Sequence, residues 1–544
     1  MSATPSSTEY VPHDPNRIRG DDLRRSLRAN FRAWIPGAFW MGAAGPLTMS
    51  ALSKYLGADD LSFALLLVAV PAFAALFQVL GMVITERLGA RKKFFFWTVV
   101  AHRLLYCGIG VLPWVVPPNQ QMSAMVMVLI LLVSMCLNHI GGQAWVNWMA
   151  DLVPARIRGQ HFAMRGRVGL VVIACTMLVM ALLMDYSRTP HFEALLQPVS
   201  DVAGMPALIV IISGIFVVAG IVGALDPVYL LNADEPPMRK PPKEPLWRRL
   251  TDPLKDKPFA RFLAYWALWA GAVSFSGWLW WPYLMKELDG LKASGSTSWF
   301  AEHKFLTATL ILGASFQLGQ IISYPIWGRA VDRFGRKPIF YISSTIHTCG
   351  WILWFFLSPG VIPFLFVTQF IAGFASGGFD IAFFNMQLHF NRRGGTGYQA
   401  LCGIVVNAAA TVSAVTAGFL ARSLEGGAEK PGWSHTFFEG STWEHTISHY
   451  PLIIVIAMLL KCTADFFILP RVIDVGGRSR RHAIRFVLDN MYGQFNTLIF
   501  SPIKMGVGRG VKLTGKSITG VKGTLSDSLA DAGEEFRSWF EEKK

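Results

Sequence analysis

Apolar runs of about 20 residues recur along the whole chain, and no other feature limits its fold so strongly. Each run can cross ~30 Å of hydrocarbon as a helix. They fall at 32–56, 61–84, 94–116, 122–149, 166–186 and 205–226. They resume at 259–285, 304–330, 338–357, 361–388, 399–421 and 450–470. Backbone groups in lipid must be paired within the segment itself, so each run predicts a helix. The two-residue alternation of a transmembrane β-barrel is absent. The sequence therefore predicts an all-α polytopic membrane protein with about twelve transmembrane helices. A content of 52% hydrophobic against 16% charged residues agrees with this.

The stretch 227–258 is rich in proline and charge and divides six runs from six. It reads as a solvent-exposed connector between two six-helix halves, 32–226 and 259–470. Residues 1–31 read as a basic N-terminal segment and 471–544 as a basic tail. No apolar leader precedes the first run, which is expected to serve as the insertion signal. The formal net charge of +15 marks topology here and does not point to a nucleic acid. Only Lys54, Arg188, Lys286, Lys292, Lys304, Arg422 and Lys430 fall in the loops opposite the connector, and Arg103 and Lys461 lie within spans. About 41 of the 50 Lys and Arg remain for the connector side, which includes both termini and is expected to be cytoplasmic. Arg165 is counted there. The six cysteines lie in apolar runs and read as buried thiols without disulfides or a metal site.

The halves repeat. The loop after the eighth run reads GRAVDRFGRKP, with Gly328, Asp332, Arg333, Gly335, Arg336 and Lys337. The loop after the second reads GMVITERLGARKK, with Gly81, Glu86, Arg87, Gly89, Arg91 and Lys92. Glycine allows a tight turn, the acid can bond exposed N–H groups or an arginine, and the basic cluster holds the turn on one side. The fourth and tenth runs also share paired glycines, an asparagine and a basic turn.

These two loops, in register with twelve runs, resemble the signature loops of the major facilitator superfamily across roughly 32–470. The resemblance implies two pseudo-symmetric halves and a conformational latch at Asp332 and Arg333. The first copy departs from the family pattern: Glu86 stands for Asp, and Gly81 lies one residue too far upstream. Asp151, Pro154, Arg158, Gly159 and Arg165 look like the fourth-to-fifth loop of bacterial members. The elements of drug–proton antiporters and sugar porters are missing, so the subfamily and the substrate stay open.

The resemblance also implies that the first, fourth, seventh and tenth spans line a central cavity. Polar groups there are costly unless paired or wet. On the tenth, Gln369, Gly373, Ser376, Asp380, Phe384 and Gln387 fall on one face, with Asp380 a proton or substrate-cation site or else a structural acid. On the fourth, His139, Gln143 and Asn147 step by four, either as substrate ligands or as interhelical glue. On the seventh, Tyr265, Trp269, Ser276, Trp280 and Tyr283 form a stripe that suits a ring-bearing solute or packing at the membrane interface. Arg103 is expected to have a buried partner, which the sequence does not name. Lys461 and Asp465, at i,i+4, are expected to neutralise each other.

The expected function is secondary active transport of a small solute by alternating access, coupled to protons or not. A non-transporting sensor or assembly factor on the same fold is the alternative. No nucleophile–base pair or metal cluster stands at a recognisable spacing, so no enzyme and no cofactor are expected. GVKLTGKS at 510–517 fits GxxxxGK[ST] but lacks the strand and domain of a nucleotide site. The basic tail near Arg478–Arg485 suits anionic headgroups. The expected partners are a small solute, the lipid bilayer and protons, with no nucleic acid. The chain is expected to be a monomer in the plasma membrane, the inner membrane of a bacterium.

Overall fold

Every apolar run forms a helix or a pair of helices in the computed structural model. It describes residues 18–238, 245–293, 295–357, 361–394, 396–425, 433–438, 441–445 and 449–473. The GxxxxGK[ST] match and the basic tail lie outside the described residues.

The first span runs as Gly20–Ala43 and Pro46–Leu56. It is followed by Asp60–Leu88, Lys92–Val115, Gln121–Leu152, Ala155–Tyr186 and Ala207–Leu230. The second half comprises Lys257–Ala293, Lys304–Phe334, Arg336–Gly350 with Ile352–Phe355, Ile362–Gly394, Thr396–Glu425 and His449–Arg471. Among the described residues, ten helices are long and apolar enough to cross a membrane. The first and ninth spans complete the twelve but are interrupted. Pro46 opens a new helix after the turn at Ala44–Gly45, because it has no N–H to continue the old one. The ninth carries Ser343, Ser344, His347 and Thr348 and turns at Trp351. The first helix begins at Gly20, well before the expected 32. Here a polar, amphipathic segment extends beyond the apolar run.

The two halves use the same packing scheme. In the first, span 1 packs on spans 5 and 6, span 4 on spans 2 and 3, and span 3 on span 6. In the second, span 7 packs on spans 11 and 12, span 10 on spans 8 and 9, and span 9 on span 12. The seams are close where glycine leaves room. A Cβ on Gly373 would collide with the carbonyl of Phe316, and one on Gly319 with that of Phe370, so spans 8 and 10 touch backbone to backbone. Gly81 does the same against Ile140 between spans 2 and 4.

One expectation needs correction, and one feature is new. Of the six cysteines, all free, Cys402 is buried but Cys175 and Cys349 are exposed, because an apolar helix also presents a face outward. Between spans 11 and 12, Trp433–Phe438 pairs antiparallel with Ser441–His445, a hairpin the sequence analysis does not anticipate.

Candidate functional site

The acid of the tenth span sits at a seam with the eighth. Gln320 on span 8 donates from Nε2 to Asp380 Oδ2 at 3.2 Å and to Ser376 Oγ at 3.4 Å. Asp380 and Phe384, one turn apart, are exposed, whereas Gly373 is buried against span 8. The expected face is therefore divided: closed at Gly373, bridged at Ser376, open at Asp380. Gln387 reaches Cys402 Sγ on span 11 at 3.8 Å, and Gln369 is half-buried.

On the fourth span, Gln143 Nε2 donates to Asn147 Oδ1 at 3.3 Å along the helix. His139, Gln143 and Asn147 are all half-buried.

The aromatic stripe of the seventh span does not stay together, because the helix turns at Trp278–Leu279. Tyr265 is fully buried and donates to Asp465 at 3.1 Å. Ser276 and Tyr283 are buried too. Trp280 packs on Trp351 and Trp354. Trp269 donates to Ser344 and stacks on Phe379 with ring centroids 3.7 Å apart. Trp266, absent from the expected stripe, stacks on Phe383 at 4.0 Å.

Each half holds a buried charge cluster between its first, third and sixth spans. In the first, Arg103 Nη2 lies 3.2 Å from Asp226 Oδ2, with both side chains under one-tenth exposed. Its guanidinium carbon is 3.7 Å from the Trp40 ring centroid. This names the partner that the sequence left open. In the second, Lys461 donates to Ser344 O at 2.8 Å and Thr348 Oγ1 at 2.7 Å, and contacts His347 Nδ1 at 3.2 Å. Asp465 accepts from Ser344 Oγ at 2.6 Å and from Tyr265. Lys461 and Asp465 lie one turn apart without a direct ion pair. Ser344 links the two, because span 9 offers each a closer partner. Arg165 is no turn residue either. Its guanidinium carbon lies 4.1 Å from the Trp34 ring and 4.7 Å from the Trp145 ring, across three spans. An i,i+4 or motif search cannot find the bonds Arg103–Asp226, Lys461–Ser344 and Tyr265–Asp465, which join residues more than 100 positions apart.

The repeated loops match more closely in space than in sequence. Arg336 donates to Asn385 O on span 10 at 3.3 Å, and Lys337 to Pro470 O and Val472 O after span 12. Arg91 donates to Asn147 O on span 4 at 3.1 Å, and Lys92 to Ala233 O after span 6 at 2.8 Å. Gly89 and Gly335, at φ 64° and 87°, make the preceding turns. Thus Arg91 matches Arg336 despite the extra residue Ala90. Arg91, 1% exposed, also bonds Asp151 at 2.6 Å and Glu235 at 3.4 Å. Arg87 is exposed, as are Asp332 and Arg333, while Glu86 and Gly328 are half-buried.

The polar contacts between the halves gather at the end opposite the connector. Asp60, 2% exposed, accepts from Tyr450 at 2.9 Å and contacts His449 Nε2 at 2.6 Å. Asp59 pairs with Arg422 at 3.2 Å. Asp289 pairs with Lys54 at 3.1 Å and also with Lys304 of its own half. Asp185 of span 5 accepts from the backbone N–H groups of Phe305 and Leu306 at 3.1 and 2.8 Å. It thereby satisfies donors that the start of span 8 leaves unpaired. Span 2 meets span 11 chiefly through its 60–75 segment, and span 5 meets span 8 chiefly through 304–315. Of these residues the sequence reading singles out only Lys54, Lys304 and Arg422, as sparse loop charges.

Residues 35–311 and 282–438 match the family model of the Major Facilitator Superfamily. Comparison with curated proteins by sequence finds no match. Among solved structures, the nucleoside transporter NupG aligns with a TM-score of 0.57 at 13% identity, over 82% of this chain and 99% of that one. The xylose transporter XylE from E. coli, in an inward open conformation, aligns at 0.55 and 13%, over 85% and 99%. A bacterial homolog of the human lysosomal transporter Spinster, inward-facing and occupied, aligns at 0.51 and 15%, over 87% and 97%. At these identities the likeness is one of fold.

Proposed function

Because the chain belongs to the major facilitator superfamily, we propose that it is a secondary active transporter that moves a small solute by alternating access of its two halves. The observation that carries this reading is the one-sided seal. Acids of one half meet an arginine, a lysine, a tyrosine hydroxyl and backbone N–H groups of the other at the end away from the connector, through Asp59, Asp289, Asp60 and Asp185. At the connector end, Arg91, Lys92, Arg336 and Lys337 tie each half to itself. Such an arrangement fits one of two end states of a rocking pair. With the Lys and Arg bias placing the connector and both termini in the cytoplasm, this state is open to the inside. Asp332 is exposed at the connector end, which suits a latch that engages when that end closes. Asp380 is the coupling acid in this reading, and the protein works as a monomer in the plasma membrane.

The test is flux. Purified protein in proteoliposomes, with an imposed pH gradient, is offered labelled nucleosides, sugars and organic acids. Accumulation or counterflow of one class supports the reading. Folded, correctly inserted protein that neither accumulates nor exchanges any of them overturns it and favours a non-transporting relative.

A further inference from the structure

At the sealed end, a cavity of about 550 Å³ lies between the halves. Its size falls in the range of small-molecule sites. The first half supplies Lys54 and Tyr55, and the second supplies Trp281, Lys286, Lys304 and Tyr450. Three ammonium groups thus face it, against two carboxylates, Asp60 and Asp289. Neither carboxylate offsets the third lysine. Asp60 is taken by Tyr450 and His449. Asp289 is shared by Lys54 and Lys304. Lys286 is exposed and lies over the face of Tyr450, 5.9 Å from its centroid; Glu287 beside it in the chain feels its charge, but Lys286 makes no ion pair among the described residues.

We propose that this cavity is a binding site for a small organic anion with an aromatic body, distinct from the polar groups of the fourth and tenth spans. The carboxylate end fits Lys286 and the lysine pair around Asp289, where it would relieve the repulsion of three like charges. The ring end fits Tyr55, Trp281 and Tyr450, which form the apolar wall. Both halves contribute, so the site exists in full only while this end is sealed. A ligand held there binds the sealed state better than the opposite one and shifts the population toward it. The proposal concerns binding and stands whether or not the chain moves a solute.

The probe is benzoate, titrated calorimetrically into the purified full chain in detergent, with benzamide and inorganic phosphate as comparisons. Benzoate saturates at millimolar concentration or below, while benzamide lacks the charge, phosphate lacks the ring, and both bind at least ~tenfold more weakly. Lys286→Gln weakens benzoate by ~tenfold or more, and Lys286→Arg restores it. Lys286 is exposed and makes no ion pair, so neither variant threatens folding. The proposal is overturned by equal benzoate binding in Lys286→Gln. It is equally overturned if benzamide or phosphate matches benzoate, or if nothing saturates by concentrations on the order of 10 mM.

Discussion

Arg103 and Asp226 lie 123 positions apart in sequence, yet share a dry site with Trp40. Removing the acid leaves the buried Arg103 without its counter-charge, which costs ~3–5 kcal/mol. Asp226→Asn should therefore lower the thermal unfolding midpoint in detergent sharply. The double variant Arg103→Leu with Asp226→Leu should recover most of the loss, and equal losses would contradict the pairing. The sequence exposes the cost of Arg103, an arginine within an apolar run, but not its partner. Distance along the chain hides the pair, as it hides Lys461, Ser344 and Asp465. Asp380 is the opposite case. Its position inside a span already marks it, and the structure adds only Gln320 and its exposure. Asp380→Asn should abolish accumulation driven by a pH gradient while leaving solute exchange in place, since exchange moves no net proton. Unchanged accumulation in proteoliposomes would place coupling elsewhere, with His139 the next candidate.

Among the elements, helix identity was legible because lipid leaves the backbone no alternative. Helix ends were less so, because polar flanks such as 20–31 continue a helix without adding hydropathy. The seams were legible only as glycines. Gly373 meets the Phe316 carbonyl with no room for a side chain. Gly373→Val should force spans 8 and 10 apart, an overpacking cost of ~1–3 kcal/mol, and reduce the yield of monodisperse protein in gel filtration. Gly108, whose Cβ would meet open space, is the control. The repeated loops show where a motif match misleads. Sequence spacing gives weight to Arg87 in the first half, but Arg87 is exposed while Arg91 is buried among Asp151, Glu235 and the Asn147 carbonyl. Past the inserted Ala90, Arg91 takes the place that Arg336 holds in the second half. Arg91→Gln should impair stability and transport far more than Arg87→Gln at equal expression, and a comparable defect in both would restore the sequence-based assignment.

For the molecule as a whole, the one-sided seal makes a two-state claim that distances can check. A buried acid bonded to Tyr450 and His449 contributes more than an exposed pair, because its bonds are charge-assisted and shielded from water. Asp60→Asn keeps the shape of the side chain and removes its charge. If the seal biases the equilibrium, that change should shift it by ~1–3 kcal/mol, a 5–150-fold change in population. The Asp59–Arg422 pair is about half exposed at the arginine, so Arg422→Gln should matter less. Spin labels on cysteines at Gln120 and Ser423 report the sealed end, and labels at Leu88 and Gln399 report the connector end, once the six native cysteines are replaced. In the unmodified seal the first pair should be the closer and narrower distribution. Asp60→Asn should add a longer population to it and, at the same time, a shorter population to the second pair. The coupling between ends is the decisive part. Rigid halves cannot open one end without approaching at the other, whereas local fraying of the seal would broaden the first pair and leave the second unchanged. That uncoupled result would sink alternating access for this chain even if the seal itself were real.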